Sequence, residues 1–405
     1  MKILLLLTHS FPYGAGENFL AAELKYASGF DRMVVCPCSR EPESPLTASL
    51  PENMECIEPA RHKMGKAAYL SLLFRPCIQG EMFRLLRSGR LTRGRVHEML
   101  FFMKNAYEIA GALERGVAAG SGDSVVIYSY WFYDAAAAGA LFAARLRRKG
   151  VSVRVISRAH GFDIHSERAR FGYLPMRMFL FRSLDRVYPC SADGESVLKS
   201  GAGKYASKIA CSYLGTEGGG EGQHGREPFH IVSCSYLVPV KRVHLIAEAL
   251  KQADFPVLWT HFGSGPLKEK IRQAASELPA NVRAEFKGSC TNREILAYYS
   301  GHPVSVFVNV SSSEGIPVSV MEACSFGIPV VATNVGGTHE IVSGGENGFL
   351  ISPDFTPQEL LAALEKIRSM SGEDYDAFCR CSRRIWQENF SAGRNYRKFY
   401  GEISI

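Results

Sequence analysis

The sequence predicts an α/β protein with two parallel-sheet domains, and three observations support this prediction. Short apolar runs alternate with amphipathic helical stretches along the whole chain, which is the pattern of parallel sheets covered by helices. The chain has 405 residues, enough for two or three domains. Residues 217–228 are rich in Gly and charge, have no apolar periodicity, and interrupt the pattern near the middle.

The predicted strands are short apolar runs, because a strand buried on both faces needs no polar positions. Five runs precede the break: Ile3–Thr8, Met33–Cys36, Val125–Tyr130, Val151–Ile156 and Arg186–Tyr188. Six follow it: His230–Ser233, Val257–His261, Val282–Phe286, Val304–Val308, Val330–Ala332 and Gly348–Ile351. Helices are predicted between them, including Glu17–Ser28, Val243–Gln252, Lys268–Glu277, Arg293–Ser300 and Pro357–Met370. The first run is too short for a signal peptide, so we interpret it as a strand.

The break at residues 217–228 predicts a linker between two domains of similar size. Ligands of open parallel sheets bind at the carboxyl ends of the strands. We therefore expect the active site in a cleft where the two halves face each other.

Composition excludes several classes of protein. With 46% hydrophobic and 21% charged residues, the chain is typical of a globular protein and unlike a disordered one. A net charge of +7 is too small to indicate nucleic-acid binding. The 11 cysteines form no CxxC pair, which favours reduced thiols in a cytoplasmic protein. No apolar stretch reaches the ~18 residues of a spanning helix.

Residues 61–95 are strongly basic. They hold nine Lys or Arg residues and one acid, Glu81, with large apolar residues interleaved. A surface of this kind predicts peripheral contact with anionic lipid headgroups. The alternative is a solvated basic face over an ordinary core helix. No aromatic reading motif accompanies the charge, so we expect no nucleic-acid partner.

The strongest chemical signal is a pair of carboxylates, Glu314 and Glu322, separated by seven residues. The strand Val304–Val308 precedes them, and a helix is predicted over Val318–Phe326, ended by Gly327. Glu314 is then expected in the loop at the carboxyl end of the strand, with Glu322 about one turn into the helix.

The start of this predicted helix suits an anion. The backbone N–H groups of Gly315, Ile316 and Val318 are expected to point out of the helix, and Pro317 presets the first turn. Carboxylates accept hydrogen bonds from sugar and ribose hydroxyls. Two carboxylates beside an anion cradle therefore indicate a nucleotide-sugar site. The alternative is that both are ordinary surface residues.

This region resembles glycosyltransferase family 4, the retaining enzymes of the GT-B fold. The pattern EGxPxSxxEAxxxGxPVVAxxxGGxxE is intact from Glu314 to Glu340. The segments GSGP at Gly263–Pro266, FKG at Phe286–Gly288 and ENGFLISP at Glu346–Pro353 are also similar to family motifs, in the family's order.

The resemblance implies roles for residues of the second half. It implies that Glu314 contacts the donor sugar, that Glu322 holds the ribose, and that Lys241 binds the diphosphate. The family has an Arg five residues before this Lys, where this chain has Tyr236, so Arg242 is the candidate second cation. Gly263 and Gly265 are candidate donor-binding residues.

In the first half, SRAHGFD at Ser157–Asp163 resembles the family's His-containing loop. It implies that His160 touches the donor sugar and that Asp163 contacts acceptor or donor. The segment FPYGAGE resembles the glycine loop after the first strand, where Gly14 and Gly16 would let a ligand approach the backbone.

The implied architecture is GT-B, with two Rossmann-like domains. The boundaries are 1–217 for acceptor binding, 229–385 for the nucleotide-sugar donor, and 386–405 for a helical segment that crosses back to the first domain.

The implied function is transfer of a hexose-type sugar, with retention, from a nucleoside diphosphate sugar to a hydroxyl of a lipid-linked glycan. It suits bacterial cell-surface polysaccharide or lipopolysaccharide assembly at the inner face of the cytoplasmic membrane. We expect no metal and no cofactor. The alternatives are a GT-B epimerase or phosphorylase, or a non-catalytic sugar-binding protein.

Overall fold

The computed structural model describes residues 1–14, 16–17, 19–39, 44–58, 61–220 and 222–404. The chain divides into two compact units. Unit 1 comprises Met1–Ser212 and the end of the chain from Tyr396, and unit 2 comprises Tyr213–Asn395. None of the helices within the described ranges has the length and apolar character needed to cross a bilayer.

Unit 1 is a six-stranded parallel sheet with the order β3-β2-β1-β4-β5-β6. Its strands are β1 Lys2–Thr8, β2 Arg32–Pro37, β3 Met54–Cys56, β4 Ser124–Ser129, β5 Ser152–Ala159 and β6 Arg186–Pro189. Its helices are α1 Leu20–Leu24, α2 Lys66–Ser71, α3 Pro76–Arg87, α4 Arg93–Gly116, α5 Asp134–Arg148, α6 Arg177–Ser183 and α7 Ala192–Ala202. Helices cover the sheet, so the apolar run of β1 is buried from Ile3 to Leu7.

Unit 2 is a second six-stranded parallel sheet, with the order β12-β11-β10-β7-β8-β9. Its strands are β7 Phe229–Cys234, β8 Val257–Phe262, β9 Val282–Gly288, β10 Val306–Asn309, β11 Val330–Thr333 and β12 Gly348–Ile351. Its helices are α8 His244–Leu250, α9 Lys268–Ser276, α10 Asn292–Gly301, α11 Val318–Cys324, α12 Pro357–Arg368 and α13 Gly372–Asn389. The chain order reverses between β7 and β10, which is where parallel sheets place ligands.

All eleven predicted strands are present, so the prediction of two parallel α/β sheets is confirmed. The sequence missed β3, because this edge strand has three residues and no apolar run. The helix predicted over Glu17–Ser28 is confined to Leu20–Leu24. The helix predicted over Val318–Phe326 ends two residues earlier, at Cys324, and Gly327 follows with φ +73°.

In the segment interpreted as a linker, the described residues 217–220 and 222–228 are instead packed within unit 2. A Cβ on Gly218 would lie 2.3 Å from the ring of Trp386, and one on Gly222 would lie 2.4 Å from the carbonyl oxygen of Phe326. The guanidinium of Arg226 donates to carbonyls at the end of α12, including that of Arg368 at 2.9 Å. The glycines here permit close packing rather than a free connection.

A buried polar cluster joins the last helix, α14 Ala392–Ile403, to the core of unit 1. The guanidinium of Arg158 lies 3.5 Å from the carboxylate of Glu23, and both side chains are buried. Tyr128 and Tyr400 donate their hydroxyls to the same carboxylate, at 2.9 and 3.3 Å. Arg158 also lies over the ring of Phe399 at 4.2 Å. The cluster therefore fixes α14 on this sheet.

Candidate active site

The loops that follow β7 and β8 are packed backbone to backbone in unit 2. The amide of Leu237 donates to the carbonyl of Ser264 at 2.9 Å. Gly263 and Gly265 have φ of +137° and +156°, and a Cβ on Gly263 would lie 1.9 Å from the carbonyl oxygen of Ser235. The two glycines are therefore needed to bring these loops together, whatever ligand they contact. Tyr236 lies within the β7 loop with an exposed side chain.

Lys241 and Glu314 form an ion pair at this edge of the sheet. Lys241 Nζ donates to Glu314 Oε1 at 2.7 Å, and Asn309 Nδ2 donates to the same oxygen at 3.2 Å. The carboxylate is nine-tenths buried, and a quarter of the lysine side chain is exposed. The amide of Ser312 donates to the carbonyl of Val240 at 2.8 Å, which holds the two loops together. The structure thus unites two residues that the sequence selected separately.

Arg242, the candidate second cation, is engaged with the backbone. Its guanidinium donates to the carbonyls of Val310 at 2.9 Å, Ser311 at 3.2 Å and Pro353 at 2.7 Å. These contacts hold the loop between β10 and Glu314. In this structure Arg242 therefore positions the loop, rather than presenting a free cation.

The pair of glycines in NVGGTHE clamps the Glu314 loop. Gly336 has φ +52°, and a Cβ there would lie 2.1 Å from the carbonyl oxygen of Glu314. The amide of Gly337 donates to the carbonyl of Gly315 at 2.8 Å. The positive φ and the close approach both require glycine at position 336.

Gly336→Ala is therefore expected to destabilise the protein by about 2–4 kcal/mol, because the new Cβ meets backbone that has no room to move. Thermal unfolding measures the loss. Gly344→Ala is the matched control, since a Cβ there has no neighbour within 4 Å, and its stability should stay within about 0.5 kcal/mol of the parent. Equal melting temperatures for the two variants would contradict the clamp.

Helix α11 carries the second carboxylate. Gly315 and Ile316 lead from Glu314 to Pro317, and the helix begins at Val318. Its first amides have no acceptor within the helix.

Glu322, on the same helix, is buried and accepts a hydrogen bond from the side-chain amide of Asn292, at the start of α10. Burial raises the pKa of Glu322 to about 7, although the bond from Asn292 acts in the opposite direction.

In unit 1, Asp163 shapes the loop that follows β5. It is fully buried, and it accepts hydrogen bonds from the backbone amides of His160 at 2.6 Å and Phe132 at 2.8 Å. Burial raises the pKa of Asp163, while the charge of Arg177 opposes this effect. Asp163 therefore positions this loop, and its contact with acceptor or donor stays a prediction.

His160 lies among aromatic rings, 4.6 Å from Tyr130 and 4.5 Å from Trp131 between ring centroids. Within the part of the chain that the structure describes, neither ring nitrogen has a hydrogen-bond partner, although both are buried. Burial lowers the pKa of His160 to about 3, and the charge of Arg158 adds to the effect. A neutral imidazole with unsatisfied nitrogens is suited to bind a hydroxyl.

The glycine loop after β1 is organised by Glu17, which sequence reasoning did not select. Its carboxylate accepts the backbone amides of residues 9–11 and the indole N–H of Trp131. Gly14 has φ +68°, and Gly16 lines a cavity. The sequence signal that could have identified Glu17 is its position directly after the glycine loop.

No group of three or more His, Cys, Asp or Glu side chains able to hold a metal ion occurs among the described residues. The expectation that the protein uses no metal and no cofactor stays a prediction.

The second half of the chain, which holds Lys241 and Glu314, matches a known family model. Residues 221–381 match the family model described as glycosyl transferases group 1. The putative colanic acid biosynthesis glycosyltransferase WcaL is 28% identical over 261 residues in both Salmonella typhimurium and Escherichia coli K12. The match covers 62% of this chain and 64% of each relative, so this chain spans just under two thirds of their length.

Solved structures match the whole chain in fold. Anabaena Alr3699/HepE in complex with UDP has a TM-score of 0.66 at 16% identity and covers 100% of both chains. The apo form of the lipopolysaccharide outer core galactosyltransferase WaaB has a TM-score of 0.67 at 15% identity, covering 100% of this chain and 99% of its own. The protein therefore has the GT-B fold, and its second half carries the sequence pattern of group 1 glycosyl transferases.

Proposed function

We propose that the protein is a glycosyltransferase that moves a sugar from a nucleoside diphosphate sugar to a hydroxyl of a glycan. The observation that carries the proposal is the pairing of Lys241 with Glu314, a cation and a carboxylate 2.7 Å apart at the edge where parallel sheets bind ligands. Both residues lie in the segment that matches the group 1 model. WcaL and WaaB are named for glycan assembly, and HepE binds UDP and UDP-glucose, which supports the proposal.

In this proposal Lys241 neutralises the charge that develops on the departing diphosphate. In the free protein its ammonium is paired with Glu314. A bound diphosphate competes for that ammonium, which leaves the Glu314 carboxylate able to accept hydrogen bonds from the sugar. Glu322 holds the ribose, and the first amides of α11 face the phosphates.

We propose membership of family 4 and retention of configuration on the basis of the sequence resemblance. The acceptor oxygen bonds to the anomeric carbon as the bond from that carbon to the phosphate oxygen breaks, on the same face of the sugar. The acceptor proton passes to the departing phosphate, so no carboxylate nucleophile is needed. The neutral ring of His160 binds a donor sugar hydroxyl.

The proposal is tested by thermal shift with a panel of nucleoside diphosphate sugars, followed by product analysis with a labelled donor. One donor is expected to raise the melting temperature in proportion to the logarithm of its concentration. NMR should then show a glycoside with the anomeric configuration of the donor. Lys241→Met should weaken donor binding, whereas Lys270→Met, at an exposed lysine of the same unit, should not.

The alternatives give different products. An epimerised nucleotide sugar indicates an epimerase, and a sugar phosphate formed from inorganic phosphate indicates a phosphorylase. Donor binding without turnover in the presence of glycan acceptors indicates a sugar-binding protein. Each of these results would overturn the proposal.

Binding of UDP-glucose is expected to strengthen by about tenfold between pH 6 and pH 8 if this is the donor. The reason is that the pKa of Glu322 is about 7, and only its ionised form accepts hydrogen bonds from both ribose hydroxyls. The esterified phosphates of the ligand do not titrate in this range. Calorimetry at several pH values measures the slope. Glu322→Gln should remove it, and an unchanged slope in that variant would contradict the ribose role.

We also propose that residues 61–95 hold the protein on the inner face of the cytoplasmic membrane, near a lipid-linked glycan acceptor. Helices α2 and α3 and the turn between them expose large apolar side chains, namely Leu70, Phe74, Phe83 and Leu86, and Phe74 is 77% exposed. The acid of this segment, Glu81, is buried and paired with Arg84. The accessible surface thus combines apolar and cationic groups, as amphipathic membrane-binding helices do.

Replacing both Phe74 and Leu86 by Ser is expected to weaken binding to vesicles of phosphatidylglycerol and phosphatidylcholine by at least about tenfold, because two large apolar groups no longer insert. Co-sedimentation measures the bound fraction. Leu46→Ser is the control, since Leu46 is equally exposed outside this segment. Equal binding of the double variant and the parent would refute the membrane role.

A further inference from the structure

Unit 1 contains a cavity of about 490 Å³ that the predicted site residues do not explain. It lies at the carboxyl ends of β1, β2, β4 and β5, and it is closed by one face of α4 and by the start of α5. Of the site residues predicted from the sequence, only Gly16 lines it. Its volume is in the range of small-molecule sites.

One side of the cavity is aromatic. The rings of Trp131 and Phe162 are 5.0 Å apart, and Phe101 lies on α4. The carboxylate of Glu17 accepts the indole N–H of Trp131, which fixes the ring. Phe162 is 48% exposed, which is unusual for so large an apolar side chain at the rim of a cavity. Fixed rings of this kind offer an apolar surface to the C–H face of a pyranose.

The other side is acidic. Glu98 accepts a hydrogen bond from Tyr133 at 3.3 Å, and Asn105 donates to Asp134 at 3.1 Å. A carboxylate has about four acceptor positions, so one such bond leaves room for ligand hydroxyls. None of the described residues that line the cavity is Lys or Arg.

Asp134 has an unusual environment. Burial raises its pKa, and the amide of Asn105 opposes the effect. Arg61 and His9 also lower the pKa of Asp134, and of these two only His9 lines the cavity.

We infer that this cavity binds a pyranose of the acceptor glycan that carries no negative charge. The ring packs on Trp131 and Phe162, and its hydroxyls donate to Glu98 and Asp134. A carboxylate or sulfate on the sugar would face these two acids with no Lys or Arg among the described lining residues to pair with, and the repulsion between like charges opposes its binding. The inference rests on the proposed function, because it names the class of acceptor.

Binding of methyl glycosides to the nucleotide-free protein tests the inference by saturation-transfer NMR. The panel contains the methyl glycosides of glucose, galactose and mannose, each with its 6-carboxylate counterpart. At least one neutral glycoside should bind, and its carboxylate counterpart should bind at least about tenfold more weakly. If no neutral glycoside binds, or if the carboxylate binds equally well, the inference is wrong.

Variants locate the binding site. Phe162→Ala should weaken the binding of the neutral glycoside by at least about tenfold. The control is Phe171→Ala, since Phe171 is 44% exposed and lies outside the cavity lining. Asp134→Asn should reduce the difference in affinity between the neutral glycoside and its 6-carboxylate counterpart. If this variant does not fold, Glu98→Gln should give the same result. Unchanged binding in Phe162→Ala would overturn the assignment.

The two proposals fail separately. A thermal shift with donor sugars reports on the site in unit 2, whereas glycoside binding without nucleotide reports on this cavity. A thermal shift with a donor but no glycoside binding would refute the role proposed for the cavity, and it would not affect the proposed sugar transfer. Glycoside binding without any donor response would refute the transfer.

Discussion

Replacing Glu314 by Gln is expected to lower turnover by about 10²–10³-fold, the usual effect of losing one preorganised contact with the transition state. The amide keeps the size of the side chain and an oxygen that accepts from Lys241, so the loop should keep its position. It loses the negative charge that the buried carboxylate presents to the sugar. Steady-state kinetics with the donor found in the thermal-shift panel measures the loss.

Affinity for the nucleoside diphosphate should behave differently in this variant. Lys241 is paired with Glu314 in the free protein, so removing the carboxylate charge frees the ammonium for phosphate. We expect an unchanged affinity or one that is up to about fivefold tighter, the value of a partly exposed ion pair. This split separates a role in transfer from a role in binding.

Glu269→Gln is the matched control, because Glu269 is an exposed acid on α9 of the same unit. It should turn over like the parent. Parent-like turnover of the Glu314 variant would refute the assigned role. Equal losses of turnover and diphosphate affinity would indicate that Glu314 maintains the conformation of the loop and does not act on the sugar.

Replacing Arg158 by Met is expected to destabilise the protein by about 3–5 kcal/mol, because it leaves Glu23 as a buried charge without its cation. Arg158 and Glu23 are both buried, and the same carboxylate accepts from Tyr128 and Tyr400. Thermal or denaturant unfolding measures the change, which corresponds to a fall of roughly 10 °C in melting temperature for a unit of this size.

The double variant Arg158→Met with Glu23→Leu separates the charge from the packing. Removing both charges should recover a large part of the stability, since a buried ion pair is often replaceable by apolar residues. The exposed pair of Arg32 and Glu55 supplies the control, and Glu55→Gln should cost less than about 1 kcal/mol. If Arg158→Met costs no more than this control, the cluster does not hold α14.

Much of the fold follows from local patterns. Apolar runs located all eleven predicted strands, because burial on both faces of a parallel sheet removes polar positions from the sequence itself. The edge strand β3 was missed because three residues carry too little pattern. The Gly-rich segment 217–228 was misinterpreted because glycines that permit close packing and glycines in a free linker look alike in a sequence.

The candidate site divides in the same way. Glu314 and Glu322 belong to one motif of the sequence, and Lys241 is selected separately, by the family resemblance of its own segment. Only the tertiary structure shows that the lysine pairs with Glu314 across 73 residues of chain, and that Arg242 is used by backbone carbonyls. It also shows that Asp163 supports the loop of His160 through two backbone hydrogen bonds.

The sequence by itself determined the α/β class, the two sheets and the motif that carries the carboxylates, because these depend on hydrophobic periodicity and short-range spacing. The tertiary structure decided which side chains meet. Glu23 and Tyr400 are 377 positions apart, and the cavity of unit 1 is lined from the ends of four strands and from two helices. Such contacts depend on strand order and loop packing, which bring distant segments to one edge of a sheet and leave no periodic trace in the chain.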